Sequence, residues 1–189
     1  MNMLARWAAY LAMAGGALFT VILVITAFSP TSPAWYGFFV GIVFLGAAVA
    51  GLYWRTRPAT GRLGWLSAWL SGLGTIVIVP VAIVAIATGE FSNMVVESPP
   101  LTPLLAIGMA ASTAWLIGNL GFAVALVRAR TLSRLGAWLV LGGAFVAVAT
   151  TPLYGVTDPT LTLVTTLLFG LMPVGWIVIG YAAGRQAST

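Results

Sequence analysis

Residues 64–88 read GWLSAWLSGLGTIVIVPVAIVAIAT, an apolar segment without one charged side chain. A helix needs about 20 predominantly apolar residues, at roughly 1.5 Å per residue, to cross about 30 Å of hydrocarbon. Five other uncharged stretches reach the same length. The six predicted spans are 7–28, 35–54, 64–88, 101–127, 135–154 and 160–181.

The composition of the whole chain agrees with these spans. Charged residues make up 6% of its 189 residues and hydrophobic residues 61%, whereas roughly a quarter of a soluble domain is charged. Lipid gives the backbone no hydrogen-bond partner, so the spans must be helices or a closed barrel. Barrel strands alternate polar and apolar residues, and runs such as 21–25 and 76–87 do not. We therefore expect an all-α membrane protein, a six-transmembrane-helix bundle in which residues 1–189 form a single integral membrane domain.

The charged residues alternate in sign along the chain. We number the segments outside the spans in chain order, and the N-terminal segment is the first. The odd-numbered segments hold all eight basic residues and the even-numbered segments hold all three acids. These are Arg6, Arg55, Arg57, Arg62, Arg128, Arg130, Arg134 and Arg185, and Glu90, Glu97 and Asp158. Because basic loops stay on the cytoplasmic side during insertion, we expect a multi-pass cell (plasma) membrane protein with cytoplasmic N- and C-termini. This placement also accounts for the net charge of +5, so no nucleic acid is expected as a partner.

Aromatic residues lie next to the basic loops, and two of these loops have similar sequences. Tyr53, Trp54, Trp65 and Tyr181 stand where interfacial anchors are expected. The loops around Arg62 and Arg134 resemble each other, which favours three repeated helical hairpins, a common device of membrane folds. The alternative is that every membrane helix favours arginine and aromatic residues at that depth. The use of arginine without lysine, with abundant alanine and glycine, suggests a GC-rich prokaryotic genome.

Several kinds of chemistry are excluded by the residues that the chain lacks. Cysteine, histidine and lysine are absent, which removes thiolate and imidazole metal sites, serine–histidine catalysis and Schiff bases. No span contains a charge, the usual mark of an ion path or proton relay. Glu90 and Glu97 have no nucleophile or metal ligand near them in sequence, and we interpret them as solvated loop charges. We therefore expect no enzyme, no catalytic residue, no metal site and no cofactor.

Neutral polar residues form stripes on two of the spans. Gly108, Ser112, Trp115, Asn119 and Phe122 share a face of the fourth span at helical spacing. The sixth span has a similar face, which comprises Thr162, Thr166, Phe169, Pro173, Trp176 and Gly180, with Thr165 beside it. An indole N–H deep in hydrocarbon requires an acceptor, so both faces are predicted to point into the bundle. Pro80 and Pro173 leave the carbonyls of Ile76 and Phe169 without their helical donors.

Two functions remain compatible with these stripes. The first is a non-enzymatic accessory subunit that packs against partner membrane proteins, since small residues are common at membrane helix contacts. Small-residue pairs at Gly37/Gly41, Ser67/Ser71 and Gly180/Gly184 would serve contacts within one chain, a homo-oligomer or a larger membrane complex equally well. The alternative is a binder or carrier of a neutral hydrophobic molecule, such as a lipid, quinone or isoprenoid. Its predicted pocket between the fourth and sixth spans comprises Ser112, Trp115, Asn119, Thr165, Thr166 and Trp176. In both cases the lipid bilayer is the surrounding partner.

Overall fold

The computed structural model describes residues 3–29, 37–89, 102–150 and 159–186, which are helical except for short turns. The helices are α1 (Met3–Phe28), α2 (Gly37–Ala87), α3 (Pro103–Ala129), α4 (Arg134–Thr150), α5 (Pro159–Phe169) and α6 (Leu171–Gln186). No strand occurs in these ranges. The prediction of an all-α protein is therefore confirmed.

The helices also have the length and composition of membrane helices. Within the described ranges, four are long and apolar enough to cross a membrane: 6–28, 37–87, 103–129, and 163–186, which joins α5 to α6. A shorter apolar helix covers 134–146. Large hydrophobic side chains such as Ile76, Phe145 and Leu167 are exposed on their outer surfaces, where a soluble protein would carry polar residues. These observations support a membrane-embedded helical protein.

The longest helix, α2, is a hairpin rather than one rod. Gly61 has φ 56° and ψ −145°, a conformation close to the backbone region that is essentially restricted to glycine. Beyond it the chain doubles back, so that Gly46 lies against Thr75 and Gly64 against Thr60. We call residues 37–60 the first arm and residues 62–87 the second arm. The turn falls within the predicted loop between the second and third spans.

Helices meet where small residues let their backbones approach closely. The first arm packs on α1 and the second arm on α3, while α6 packs on both α1 and α4. At Gly118, for example, a Cβ atom would collide with the backbone of Ser71. Because α4 follows α3 through a short turn, these contacts close a ring of helices around a central core.

The three small-residue pairs noted in the sequence make contacts within the chain. Gly37 and Gly41 lie against Ile22 and Phe19 of α1, Ser67 and Ser71 against Gly121 and Gly118 of α3, and Gly180 and Gly184 against Ala9 of α1. The contacts that the sequence left open are thus intramolecular for these pairs. They provide no reason to expect a second subunit.

The two intrahelical prolines act differently. The helix that contains Pro173 is interrupted at Gly170, between α5 and α6, next to the Phe169 carbonyl that loses its donor. The interruption therefore lies where the proline removes a helical hydrogen bond. Around Pro80, by contrast, α2 continues without a break, and the proline ring is exposed.

All eight arginines lie in the described ranges and gather at one end of the bundle. Arg55 donates to the Ala183 carbonyl at 2.8 Å and to Gln186 Oε1 at 3.3 Å, which joins the first arm to the last turn of α6. Gly51 contacts Ala8 near the start of α1. We call the end of the bundle that holds the eight arginines the arginine end. It comprises the start of α1, the α2 turn, the α3–α4 turn and the end of α6.

We predict that Gly61→Ala lowers the midpoint of thermal unfolding in detergent, because a side chain at this φ and ψ costs about 1–3 kcal/mol. Gly72→Ala is the control, since Gly72 is helical and an added Cβ there meets no atom within 4 Å. Equal midpoints for the two variants would show that the turn does not depend on glycine.

The antiparallel arms can be tested separately by cross-linking, because the chain contains no cysteine. A Cβ placed on Gly46 lies 3.1 Å from the Thr75 Cβ, which is close enough for a disulfide after a small adjustment. The double variant Gly46→Cys/Thr75→Cys should form an intramolecular disulfide on mild oxidation. Gly46→Cys/Gly142→Cys should not, and cross-linking of both pairs to the same extent would contradict the hairpin.

Candidate functional site

The centre of the bundle is filled by aromatic rings. Trp115 stacks on Phe19 with ring centroids 6.2 Å apart, and Trp176 stacks on Phe122 at 6.3 Å. Trp115 is 4% exposed and Trp176 is fully buried. Phe169 adds an edge-on contact to Phe19 at 6.0 Å. The two predicted pocket tryptophans therefore each pack against a phenylalanine.

Asn119 lies in the same core, as predicted for an amide that cannot face lipid. Its side chain is fully buried. Nδ2 donates to the Trp115 carbonyl at 2.7 Å and to Ser71 Oγ at 3.3 Å. The second of these bonds connects α3 to the second arm of α2 and so gives Asn119 a structural role.

Three buried polar atoms in this core have no hydrogen-bond partner among the residues that the structure describes. They are Trp115 Nε1, Trp176 Nε1 and Asn119 Oδ1. The acceptors expected for the two indoles are therefore not found in these ranges. An unpaired buried group of this kind costs about 1–3 kcal/mol, so ring packing and helix contacts hold the core in spite of its polar atoms.

Ser112 does not share the interior position of Trp115 and Asn119, and its predicted orientation is corrected. Its side chain is exposed. At this level α3 meets the second arm along Ala111, Trp115 and Gly118, which contact Gly74 and Ser71. Ser112 lies about 100° around the helix from Ala111, outside that line of contact.

The threonines of the predicted pocket are only partly enclosed. Thr165 and Thr166 are half-buried on α5, and the side chain of Thr162 lies outside the described residues. The structure thus brings Trp115 and Asn119 together with Trp176 in one core but leaves Ser112 on the surface. A pocket between the fourth and sixth spans stays a hypothesis.

A groove on the outer surface of the α2 hairpin is a second candidate site. Its volume is about 490 Å³, within the roughly 300–1,000 Å³ typical of small-molecule sites. Small side chains at Ala50, Ala68 and Gly72 leave a gap between the arms, and bulky side chains border it. The groove is lined by Ala50, Tyr53, Trp54, Arg57, Trp65, Ala68, Trp69, Gly72, Leu73 and Ile76.

Helical spacing places the aromatic walls of this groove. Trp65 and Trp69 are four residues apart on the second arm, so they share a face, and their ring centroids are 6.1 Å apart. Trp54 and Arg57 share a face of the first arm in the same way. The sequence identified Trp54 and Trp65 only as interfacial anchors. Their convergence was missed because the sequence does not show which faces of the two neighbouring arms meet.

The groove continues into a second cavity of about 430 Å³ at the arginine end. Both cavities share Tyr53, Arg57 and Trp65, and the second adds Arg62. The Arg57 guanidinium carbon lies 4.4 Å from the centre of the Trp54 ring, a cation–π contact that orients the charge. The described ranges contain no aspartate or glutamate, so no carboxylate within them neutralises the two arginines.

The length of the groove matches one leaflet of a bilayer. On the second arm its lining extends from Trp65 to Ile76, a rise of roughly 16 Å along a helix. Half of the hydrocarbon thickness is about 15 Å. The groove therefore has a cationic mouth, aromatic walls and an apolar floor, and it is about as long as one leaflet is thick.

No protein-family model matches this chain, and neither a curated protein nor a solved structure is significantly similar to it. The function must therefore be argued from the geometry of the core and of the groove.

We predict a small coupling energy between Asn119 and Ser71, because interhelical polar contacts in membrane proteins average about 0.6 kcal/mol and reach about 1.7 kcal/mol. The measurement is a double-mutant cycle of unfolding free energy with Ser71→Ala, Asn119→Ala and the double variant. Ser67→Ala with Asn119→Ala is the control cycle, since Ser67 Oγ donates to the Leu63 carbonyl of its own helix. A coupling energy no larger than in the control cycle would contradict the bond.

Proposed function

We propose that this protein is a non-enzymatic integral membrane protein that binds a lipid-like amphiphile in the groove of the α2 hairpin. The observation that carries the proposal is the groove itself, which combines an apolar floor, three tryptophans and two arginines along the depth of one leaflet. Amphiphilic molecules have the same order of groups, with a polar head at the interface and an apolar chain below it.

The proposed arrangement in the membrane has six crossings in the cell membrane. The two arms of α2 supply two of them, α1, α3 and α4 one each, and α5 with α6 the last. The gathering of all eight arginines at one end supports this topology, because positive charge is retained on the cytoplasmic side. Both termini are then cytoplasmic and the groove opens toward the cytoplasmic leaflet. In this order the crossings form three consecutive hairpins, which pair the first crossing with the second, the third with the fourth and the fifth with the sixth. Their origin by repetition is part of the proposal.

A binding role fits the chemistry of the lining better than a catalytic one. Indole, guanidinium and aliphatic side chains make contacts and hold charge, and the hydroxyl of Tyr53 in the lining has no carboxylate or imidazole base beside it among the lining residues. The groove also has better support than the two roles considered from the sequence. The small-residue pairs that favoured an accessory subunit pack within the chain, and the tryptophans of the interior pocket pack on phenylalanines.

The topology predicts the accessibility of single cysteines in intact cells. Ala59 is exposed beside the buried Thr60 at the arginine end. The cysteine of Ala59→Cys should be protected from a membrane-impermeant thiol reagent. Ser92→Cys, in the acidic loop that contains Glu90 and Glu97, should be labelled. The opposite pattern would reverse the proposed orientation.

The groove predicts that Gly72→Leu removes bound lipid from the purified protein. An added Cβ at Gly72 meets nothing within 4 Å, so leucine can occupy the floor of the groove without displacing a helix. We expect native mass spectrometry to show lipid retention reduced on the order of tenfold, equivalent to about 1.4 kcal/mol.

Gly142→Leu is the matched control for this variant. Gly142 lies on α4 away from the groove, and its added Cβ would have one neighbour, at 4.0 Å. The unfolding midpoint of each variant in detergent should stay close to that of the natural chain. Equal lipid retention by both variants would remove the groove as the binding site.

A further inference from the structure

We infer that the occupant of the groove is an anionic phospholipid, with its phosphate held between Arg57 and Arg62 and one acyl chain along the floor toward Ile76. This inference rests on the proposed function, because it assigns a chemical class to the molecule bound at the same site. It excludes neutral occupants such as quinones, isoprenoids and sterols as the preferred ligand.

The charge at the mouth of the groove favours an anionic ligand. Arg57 and Arg62 both line the cavity that forms the mouth, and both side chains are exposed. A guanidinium group presents a planar fork of donors that matches phosphate oxygens in a bidentate arrangement. A neutral ligand would leave both donor sets without an anionic partner.

A comparison with Arg55 shows why these two arginines are suited to a ligand. Arg55 is half-buried and donates to the Ala183 carbonyl and to Gln186 Oε1, so its donors tie two helices together. Arg57 instead lies over the Trp54 ring. That contact holds the guanidinium group beside the mouth of the groove, which Arg57 lines. The side chain is thereby oriented by an aromatic ring rather than by a hydrogen bond to another helix.

The length of the groove favours a ligand with an apolar chain. The floor continues for roughly 16 Å from Trp65 to Ile76, so a molecule bound by its head at the arginines has an apolar channel as long as one leaflet. Free inorganic phosphate would use the mouth alone and leave this channel unexplained. Basic pockets at the cytoplasmic ends of membrane helices bind phosphorylated headgroups for the same electrostatic reason.

The aromatic walls of the groove suit the chain and ester region of a lipid. They are formed by Trp54, Trp65 and Trp69. These residues are 56%, 50% and 54% exposed, and all three border one groove. Indole combines a broad apolar face with one N–H donor. It can thus contact an acyl chain with its face while its N–H reaches the ester region below the phosphate.

The test compares headgroup preference in variants of the full chain. Protein reconstituted in vesicles of equal parts phosphatidylglycerol and phosphatidylcholine is extracted in mild detergent, and the retained lipids are identified by native mass spectrometry. We expect the natural chain to retain phosphatidylglycerol preferentially. Arg57→Gln/Arg62→Gln should lower that preference roughly 25-fold, since each basic residue near an anionic surface contributes about a factor of five.

Arg128→Gln/Arg130→Gln is the matched control, because it removes the same charge from another part of the arginine end. An equal loss of preference in both double variants would show general attraction to an anionic surface and overturn the inference. Arg57→Lys/Arg62→Lys keeps the charge but lacks the planar fork, so it should give an intermediate preference. Unchanged unfolding midpoints verify that the exposed substitutions leave the fold intact.

The remaining outcomes separate this inference from the function on which it rests. Equal retention of both lipids by the natural chain, with loss of both in Gly72→Leu, would overturn the anionic assignment and leave the groove as a lipid site. No loss in Gly72→Leu would overturn the groove itself. Millimolar inorganic phosphate should not displace phosphatidylglycerol, and displacement would show that the mouth binds a free anion instead.

Discussion

The structure depends on one constraint, which is that helices in lipid gain little from hiding apolar side chains from one another. Lipid tails are as apolar as leucine, so association relies on close packing and a few polar contacts. The close approach of Gly118 to the Ser71 backbone, and the bond from Asn119 to Ser71 beside it, meet this requirement between α3 and the second arm. The arms also carry small residues that none of the described helices covers, at Ala50, Ala68 and Gly72. The space beside these small residues is the groove.

The core and the groove use aromatic residues for opposite purposes. In the core, Trp115 and Trp176 each stack on a phenylalanine and fill volume between helices. On the surface, Trp54, Trp65 and Trp69 border space rather than fill it. The difference arises from the neighbouring residues, because large side chains close the space around the first pair and small ones keep it open around the second group.

Much of the fold could be predicted from the sequence because it follows from local composition. Uncharged runs identified the helices, the spacing of Asn119 placed it inside, and Pro173 indicated the break near Phe169. Ser112 was misplaced because one helical face does not stay buried along a helix whose neighbours change with depth. The groove was missed for a related reason. Its residues come from two neighbouring arms, and helical periodicity carries no information about which faces of those arms meet.

The lateral opening of the groove determines the scale on which any affinity there must be expressed. Its tryptophan walls are about half exposed, so a molecule that enters the proposed site from within the leaflet displaces another lipid rather than water. Binding is then an exchange between lipids, and the reference state is the mole fraction of each species in the membrane. The hydrophobic effect largely cancels in such an exchange. Discrimination must come from headgroup charge and from the fit of a chain against Ala68 and Gly72.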